Sequence, residues 1–339
     1  MGITVLVTGG AGFIGSHLVD LLIENNFRVV VVDDLSSGRE ENVNREAQFY
    51  KLNITEEKKL REVFQRERPD YVSHQAAQIS VAFSVREPLF DARTNILGSV
   101  NLLQCSVDYL TRGIVFASSG GTVYGEPEHL PVKESHPLQP LSPYGISKVA
   151  VEHYLNFYQN HYSLNYVSLR YGNVYGPRQD PYGEAGVIAI FIEKMLRGEA
   201  PTINGDGEYI RDYIYVKDVA QANLLAIQNM LKLTKLKPQT EGVRERRAGE
   251  GSKFVINNSF NLGTGKGTSV NELFHLLQEI IKFPYPVHYG PPREGDLRKN
   301  ILDNRLIKEG WGWQPEVALS TGLKETVAWF ANKKGLNLN

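Results

Sequence analysis

Ile3-Thr4-Val5-Leu6-Val7-Thr8-Gly9-Gly10-Ala11-Gly12-Phe13-Ile14-Gly15-Ser16-His17 is the stretch that decides the fold. The β-branched apolar run Ile3–Val7 reads as a buried strand, and glycines at 9, 12 and 15 follow with the spacing GxxGxxG at the entry to a helix over Ser16–Asn25. Glycine permits the tight strand-to-helix turn and lets backbone amides approach a pyrophosphate. The helix N-terminus adds free N–H groups and positive dipole. Outward from this loop, the unbroken run Val29–Val32 suits a strand buried on both faces, and it ends at Asp33, eighteen residues after Gly15. A carboxylate there accepts hydrogen bonds from an adenosine ribose and repels a 2′-phosphate, which favours NAD over NADP. Asp34 can share that role, and the nearby Arg39 weighs slightly the other way.

Further along, Lys58–Arg66 reads as helix, Tyr71–Ser73 as a short strand, Asn95–Tyr109 as an apolar helix and Ile114–Ala117 as strand. Ser147–His161 is a helix and Tyr166–Arg170 a strand. This βαβ alternation predicts an α/β fold, a Rossmann-type doubly wound parallel sheet. Beyond it, around Gly172–Glu184 and Gly205–Gly207, glycine, proline and charge rise. The expected division is a dinucleotide-binding domain over 1–171, with elements returning to it from about 210–230 and 257–265, and a smaller C-terminal α/β lobe over 172–339. Lys232–Lys253 has seven basic and three acidic residues, a proline and three glycines without apolar periodicity, and reads as a solvated surface insertion.

The formal net charge of −1 over 339 residues gives no global field toward nucleic acid or membrane. No window approaches a membrane span, and the N-terminus lacks the basic region of a signal peptide. The single cysteine, Cys105, can form no internal disulfide and sits in an apolar pattern as a small buried hydrophobe. A cytoplasmic location is expected, and no metal site.

Pro143-Tyr144-Gly145-Ile146-Ser147-Lys148 places a phenol and an ammonium four apart at a helix start, on one face. A phenol of pKa near 10 is a poor base at neutral pH. A close ammonium, with a cationic nicotinamide nearby, favours phenolate and brings it into working range. Such a spacing alone is usually a surface pair; joined to the glycine loop and Asp33 it points to NAD-linked alcohol oxidation. A hydroxyl partner is expected in Ser118-Ser119-Gly120-Gly121-Thr122-Val123-Tyr124-Gly125, after the strand Ile114–Ala117. Turn satisfaction is the competing reading of those hydroxyls.

Taken together the chain resembles the extended short-chain dehydrogenase/reductase family, and within it the UDP-glucose (UDP-galactose) 4-epimerases, over its whole length except the 232–253 insertion. The resemblance rests on TGGAGFIGSH at 8–17, Asp33, AAQ at 76–78, Asn95, SSGGTVYG at 118–125, YGISK at 144–148 and RYGNVYGPR at 170–178. It continues through GDGEYIRDYIYVKDVA at 205–220, NLGTG at 261–265 and PPREGDLRK at 291–299. It implies that Gly9, Gly12, Phe13, Ile14, Asp33, Asn53, Ile54, Ala76, Ala77, Asn95, Ser118, Tyr144 and Lys148 contact NAD, with Tyr171 and Val174 placing the nicotinamide. It further implies that Asn173, Val187, Ile188, Arg211, Arg293 and Asp296 hold a UDP group. Arginine forks suit a diphosphate, although surface salt bridges are their commonest use.

Two departures from the family pattern matter. Gly120 stands where many epimerases have the serine that partners tyrosine, so Ser119 or Thr122 must substitute, with Ser119 preferred. Gly121 and Thr122 stand where related dehydratases carry an Asp-Glu acid/base pair, which removes the machinery for dehydration. The implied reaction is 4-epimerisation of a UDP-sugar, UDP-glucose/UDP-galactose, through a transient 4-keto sugar. Asn300 stands where a bulky tyrosine excludes N-acetylated sugars, so UDP-GlcNAc/UDP-GalNAc are expected substrates too. The rivals are a UDP-glucuronate 4-epimerase or decarboxylase, and a non-catalytic NAD-binding sensor. A homodimer is expected, pairing the helices around Asn95–Tyr109 and Ser147–Tyr162.

Overall fold

The computed structural model describes residues 2–182, 186–235, 258–292 and 297–336. The insertion read at 232–253 lies, from residue 236 on, outside them. The first half runs β1 (Thr4–Thr8), α1 (Phe13–Glu24), β2 (Arg28–Asp33), β3 (Gln48–Lys51), α2 (Glu57–Glu67), β4 (Tyr71–His74), α3 (Val81–Arg86), α4 (Pro88–Ala92), a π-helical turn (Arg93–Leu97), α5 (Gly98–Asp108), β5 (Gly113–Ser119), α6 (Pro143–Tyr162) and β6 (Asn165–Tyr171). The second half runs β7 (Asn173–Tyr175), α7 (Val187–Leu196), β8 (Thr202–Asn204), β9 (Ile210–Arg211), β10 (Tyr213–Tyr215), α8 (Val216–Lys235), β11 (Ser259–Leu262), β12 (Thr268–Ser269), α9 (Val270–Ile281), β13 (His288–Gly290), β14 (Lys299–Asn300), α10 (Arg305–Trp311) and α11 (Leu319–Lys333).

Seven strands form one sheet in the order β11-β6-β5-β4-β1-β2-β3. The expected doubly wound parallel architecture is what the chain adopts: β1 pairs in parallel with both β2 and β4, as β2 does with β3 and β4 with β5. Strand periodicity divides the side chains between two faces. Leu6, Val30, Val32, Val72, Ile114 and Phe116 pack with Leu60 and Phe64 of α2, Leu102 and Leu103 of α5, and Val151 and Leu155 of α6. Val31 lies on the other face, beside Gly10 and Val19 of α1, and Met230 of α8 closes over Gly113 of β5. Each fully buried aliphatic side chain contributes on the order of 1.5–3 kcal/mol by removal from water, so this two-sided packing sets where the strands end. Cys105 is fully enclosed in the first layer, and burial pushes its thiol up to about 11.

The chain divides into two compact units, Met1–Val123 with Pro140–Arg170 and Ala220–Phe260, and Tyr124–Gln139 with Tyr171–Val219 and Asn261–Asn339. The stretch 124–139, placed with the first domain by sequence, goes with the second unit. There Asn261 accepts from the Tyr124 hydroxyl at 2.7 Å and donates to the carbonyl of Val132 at 2.9 Å. The second unit also holds the short pairs β10-β7 and β13-β8 and the three strands β12-β9-β14. Among the described residues no helix is long and apolar enough to cross a membrane.

Two boundaries differ from expectation for physical reasons. The helix that carries Tyr144 starts four residues earlier than Ser147, because Ser142 caps it by accepting from Gly145 N at 3.2 Å and Pro143 occupies its first turn. The segment from Asn95 opens as a π-helical turn before α5, and Asn95 sits in the middle of that turn.

One buried chain of hydrogen bonds fastens the carboxyl ends of the strands. Ala76 N donates to Thr8 Oγ1 at 3.2 Å, which lies 2.7 Å from His74 Nδ1; His74 Nε2 is 2.8 Å from Ser99 Oγ, and that hydroxyl donates to the carbonyl of Asn95. Ser99 spends its proton on Asn95, so it accepts from His74 Nε2–H, and Nδ1 accepts from Thr8. A neutral imidazole fits this arrangement, with Nδ1 as the acceptor. Burial, reinforced by the Lys148 charge, pushes His74 down to about 3. An unfolded histidine titrates near 6.5, so the unfolded chain binds the extra proton first and stability declines as pH falls below that value. Melting temperature measured from pH 7 to 5 should therefore drop less steeply in His74→Gln than in the wild type; parallel curves would show that the relay carries no such linkage.

Candidate active site

The glycine loop joins β1 to α1 as the sequence predicts. Gly9 has φ +69°, and a Cβ on it would stand 2.7 Å from the backbone nitrogen of Ala76. A Cβ on Gly15 would stand 2.1 Å from the Gly9 carbonyl oxygen. The two glycines are thus fixed by close backbone approach, not by composition of a turn. Gly12 caps α1 without any side-chain hydrogen bond, and the first turn contains no acidic residue. Its leading amides have no intrahelical acceptors, so the N-terminus of α1 presents donors and positive dipole of the kind a pyrophosphate needs. Phe13 begins the helix and packs edge-on against His17. Ile14 is half-buried beside it.

Asp33 ends β2, buried, with each carboxylate oxygen holding one backbone amide: Ala11 N at 3.0 Å and Leu35 N at 2.8 Å. Burial raises its pKa, and those two amides oppose the rise. It therefore shapes the glycine loop directly and retains two lone pairs for a further donor. Asp34 accepts from Ser36 N at 2.9 Å and from Asn53 Nδ2 at 2.6 Å, so Asn53 faces Asp34. Ile54 is buried against Gly98, and its carbonyl accepts from Asn101. Arg39 has Glu41 at 4.0 Å.

Ala76, Ala77 and Gln78 leave the end of β4. Asn95 clamps this loop from both sides, accepting from Gln78 N at 2.8 Å and donating to the Gln78 carbonyl at 2.9 Å. Its side chain is enclosed and spent on that task, so its observed role is to hold the loop in place.

Tyr144 and Lys148 lie one turn apart on α6, with the Lys148 nitrogen 5.6 Å from the tyrosine ring centroid. Lys148 Nζ donates to the Ala117 carbonyl near the end of β5, at 2.8 Å, and stands 4.9 Å from the Phe116 ring centroid. Burial pulls its pKa down to about 8, against the opposing pull of Asp91 and Glu152. The phenol departs from the activation expected of it. Burial pushes Tyr144 above its usual value; the Ser119 hydroxyl works the other way, and the Asp91 carboxylate adds to the rise. The protein alone holds Tyr144 as a neutral phenol, because the loss of water outweighs any help from the neighbouring ammonium.

The three hydroxyls at and just beyond the end of β5 separate clearly. Ser119 is near enough to Tyr144 to favour its ionised form, and it faces the open side of Gly121, whose added Cβ would be 3.8 Å from Ser119 Oγ. Thr122 Oγ1 is buried with no hydrogen-bond partner among the described residues. Ser118 points elsewhere: its hydroxyl donates to Glu152 at 2.6 Å, in a buried cluster where Glu152 also accepts from Ser168 at 2.9 Å and from Arg170 at 2.6 Å. The side chain of Ser118 is therefore a brace between β5 and α6. Sequence reading missed His74, Asp91 and Glu152 and quoted Gln78 and Ser147 only inside motifs, without a role; all five bear on the pair. Their one sequence signal is that each is a polar residue inside an otherwise apolar or periodic segment.

In the second unit, Asn173 pairs with Tyr213 and Val174 with Ile214. Tyr171 is buried at the end of β6, and Ile188 is a core residue of α7 next to the half-buried Val187. Arg211 lies on β9 opposite Asn300 of β14 and Thr268 of β12, with its guanidinium 5.9 Å from the Tyr209 ring centroid. Asp212, next to it, is fully buried and accepts from Thr264, Gly265 and Leu302, so the Arg-Asp pair of the sequence motif has one member that anchors the strand. Arg293 and Asp296 lie outside the described residues.

Known proteins of similar sequence share this fold. A UDP-glucose 4-epimerase from Thermotoga maritima, solved with UDP-glucose, is 52% identical, with 98% of this chain and 100% of that chain covered and a TM-score of 0.88. A UDP-glucose 4-epimerase from Thermus thermophilus, solved in complex with NAD, is 41% identical over 97% and 99% of the two chains, TM-score 0.85. A UDP-N-acetylglucosamine 4-epimerase from Methanobrevibacter ruminantium M1, in complex with UDP-N-acetylmuramic acid, is 36% identical over 98% and 100%, TM-score 0.84. Residues 5–235 match the model of the NAD dependent epimerase/dehydratase family. With a glycine cradle, an acid at the end of the second strand and a Tyr–Lys pair at the carboxyl end of the sheet, the chain belongs to the NAD dependent epimerase/dehydratase family.

Proposed function

We propose that this enzyme inverts carbon 4 of UDP-hexoses, with Tyr144 moving the proton of the C4 hydroxyl. The observation that carries the reading is the trio of buried Lys148 with half-buried Tyr144 and Ser119, without any carboxylic acid at 121–122. NAD, when bound, would supply the acceptor and then the donor of the C4 hydride and, in its oxidised form, a positive charge. The residues fitted to hold it are Gly9, Gly12, Phe13 and Ile14 at the pyrophosphate, Asp33 at the adenosine ribose and Lys148 at the nicotinamide ribose. Tyr144, neutral by burial, gains acidity when positive charge enters its surroundings, and it then exchanges the substrate proton while Ser119 holds the same oxygen. Oxidation at C4 would leave a 4-keto sugar, which would have to present its other face before Tyr144 returned the proton to the same oxygen and C4 was reduced again. Arg211 and Asn173 are assigned to the UDP anchor, which must be gripped while the sugar is free to rotate.

The related UDP-N-acetylglucosamine 4-epimerase favours a second substrate class. Asn300 is the residue we assign to the acetamido pocket, since it is smaller than the tyrosine of stricter relatives. We also propose a homodimer. Large apolar side chains stand exposed on adjoining elements: Val85 of α3, Leu89 and Phe90 of α4, Leu97 of the π turn, and Tyr154 and Phe157 of α6. Leu89 is 82% exposed, which a second copy would relieve.

Tyr144→Phe should lower turnover of UDP-galactose by about 10²–10⁴-fold, the usual worth of a positioned acid/base, with a much smaller change in KM. Turnover near that of the wild type would remove Tyr144 from the chemistry. The rate should also decline on the alkaline side as Lys148 loses its proton around pH 8. Product analysis by NMR with UDP-glucose, UDP-GlcNAc and UDP-glucuronate should show C4 inversion of the first two, and Asn300→Tyr should lose UDP-GlcNAc selectively; inversion or decarboxylation of UDP-glucuronate alone would replace this reading. Light scattering should give a dimer that Leu89→Glu or Phe157→Glu converts to monomer, whereas a monomeric wild type would dismiss the pairing.

A further inference from the structure

Asp91 is a buried acid that the proposed chemistry leaves idle. It sits on α4 with no exposed surface, and three neutral side chains donate to it. Gln78 Nε2 at 2.8 Å and Asn95 Nδ2 at 2.9 Å share Oδ1, and Ser147 Oγ at 2.6 Å takes Oδ2. Among the described residues no cation stands within ion-pair distance of it. Ser147 is the residue before Lys148 on α6, so the acid is tied to the helix turn that carries the ammonium.

Lys148 is equally enclosed, 4% exposed. Its surroundings can be counted by charge. On its own helix Tyr144 is a neutral phenol, and Glu152 is an anion already matched by Arg170 of β6, whose Nε and Nη2 reach it at 3.0 and 2.6 Å. On β4 His74 is neutral, and on β5 the contacts are the Ala117 carbonyl and the Phe116 ring. The anion left without a cation of its own is Asp91. A buried carboxylate and a buried ammonium are each costly alone, by several kcal/mol after relaxation.

We infer that Asp91 is the counter-charge of Lys148, a positioning residue that keeps the ammonium protonated away from water and, through Ser147, fixes the working turn of α6 against the loop at 76–78. Gln78 and Asn95 belong to the segments that frame the cofactor, so the same carboxylate ties the cofactor loop to the Tyr–Lys helix. The direction of electrostatics agrees: burial lowers Lys148, and Asp91 is the foremost group that raises it. The effect on turnover rests on the proposed epimerase reading; the charge coupling does not.

The test is the titration of Lys148 itself, followed by NMR of protein labelled at the lysine ε-carbons, with its resonance identified by loss in Lys148→Arg. In Asp91→Asn the amide can accept from Gln78 and Asn95 and donate to Ser147, so the hydrogen bonds survive and only the charge leaves. The Lys148 midpoint should fall by about one pH unit or more. Ser147→Ala, which deletes a hydrogen bond and keeps the charge, should leave the midpoint where it is in the wild type. An unmoved midpoint in Asp91→Asn overturns the inference. Should Asp91→Asn fail to fold, the double variant with Lys148→Met decides: regained folding and a melting temperature above either single variant support charge pairing, and no gain refutes it. A shifted midpoint in a protein that turns over no UDP-sugar would remove the functional reading and leave this one, whereas full turnover with an unmoved midpoint would do the reverse.

Discussion

Lys148 carries an ammonium into a space that water does not reach, and much of the first unit is arranged around that fact. Its nitrogen is held by the Ala117 carbonyl near the end of β5, so the strand must end where the helix begins its second turn. Desolvation works against its charge. Two carboxylates oppose that, and they do so differently. Glu152 is itself cancelled by Arg170 and serves to lock β5, β6 and α6 together, while Asp91 offers charge. The same desolvation acts on Tyr144 with the opposite chemical consequence, since it favours the neutral phenol. Desolvation thus acts on both members of the pair, lowering the ammonium and raising the phenol.

Local features of the chain were legible because local physics produces them. Val29–Val32 suits a strand buried on both faces, and at 9 and 15 only glycine fits, since a Cβ there would stand 2.7 and 2.1 Å from neighbouring backbone. Tyr144 and Lys148 follow from helical spacing. Ser142-Pro143 announces the true start of α6, and a stricter reading of capping would have placed it there. The strand β3 escaped because its residues are exposed or half-buried at the edge of the sheet, where no apolar signature is required.

What was hidden depends on partners far apart in sequence. Asp91 meets Ser147 across 56 positions, and His74 meets Thr8 across 66. No spacing rule connects such pairs, and each residue taken singly looks like an ordinary polar position. Residues 124–139 were misplaced for the same reason: their anchor, Asn261, is more than a hundred residues away. Ser118 and Asn95, expected as cofactor contacts, also have a part that the sequence did not announce: their side chains hold the scaffold that forms the site.

The enclosure of Cys105 has a practical side. The chain has no other cysteine, and this one lies inside the core with a thiol that stays protonated at neutral pH. Thiol reagents react through the thiolate, so the native protein offers them an almost blank background. A cysteine introduced on the surface of either unit would be the one reactive handle, ready for a fluorophore or spin label without any prior engineering of the parent sequence.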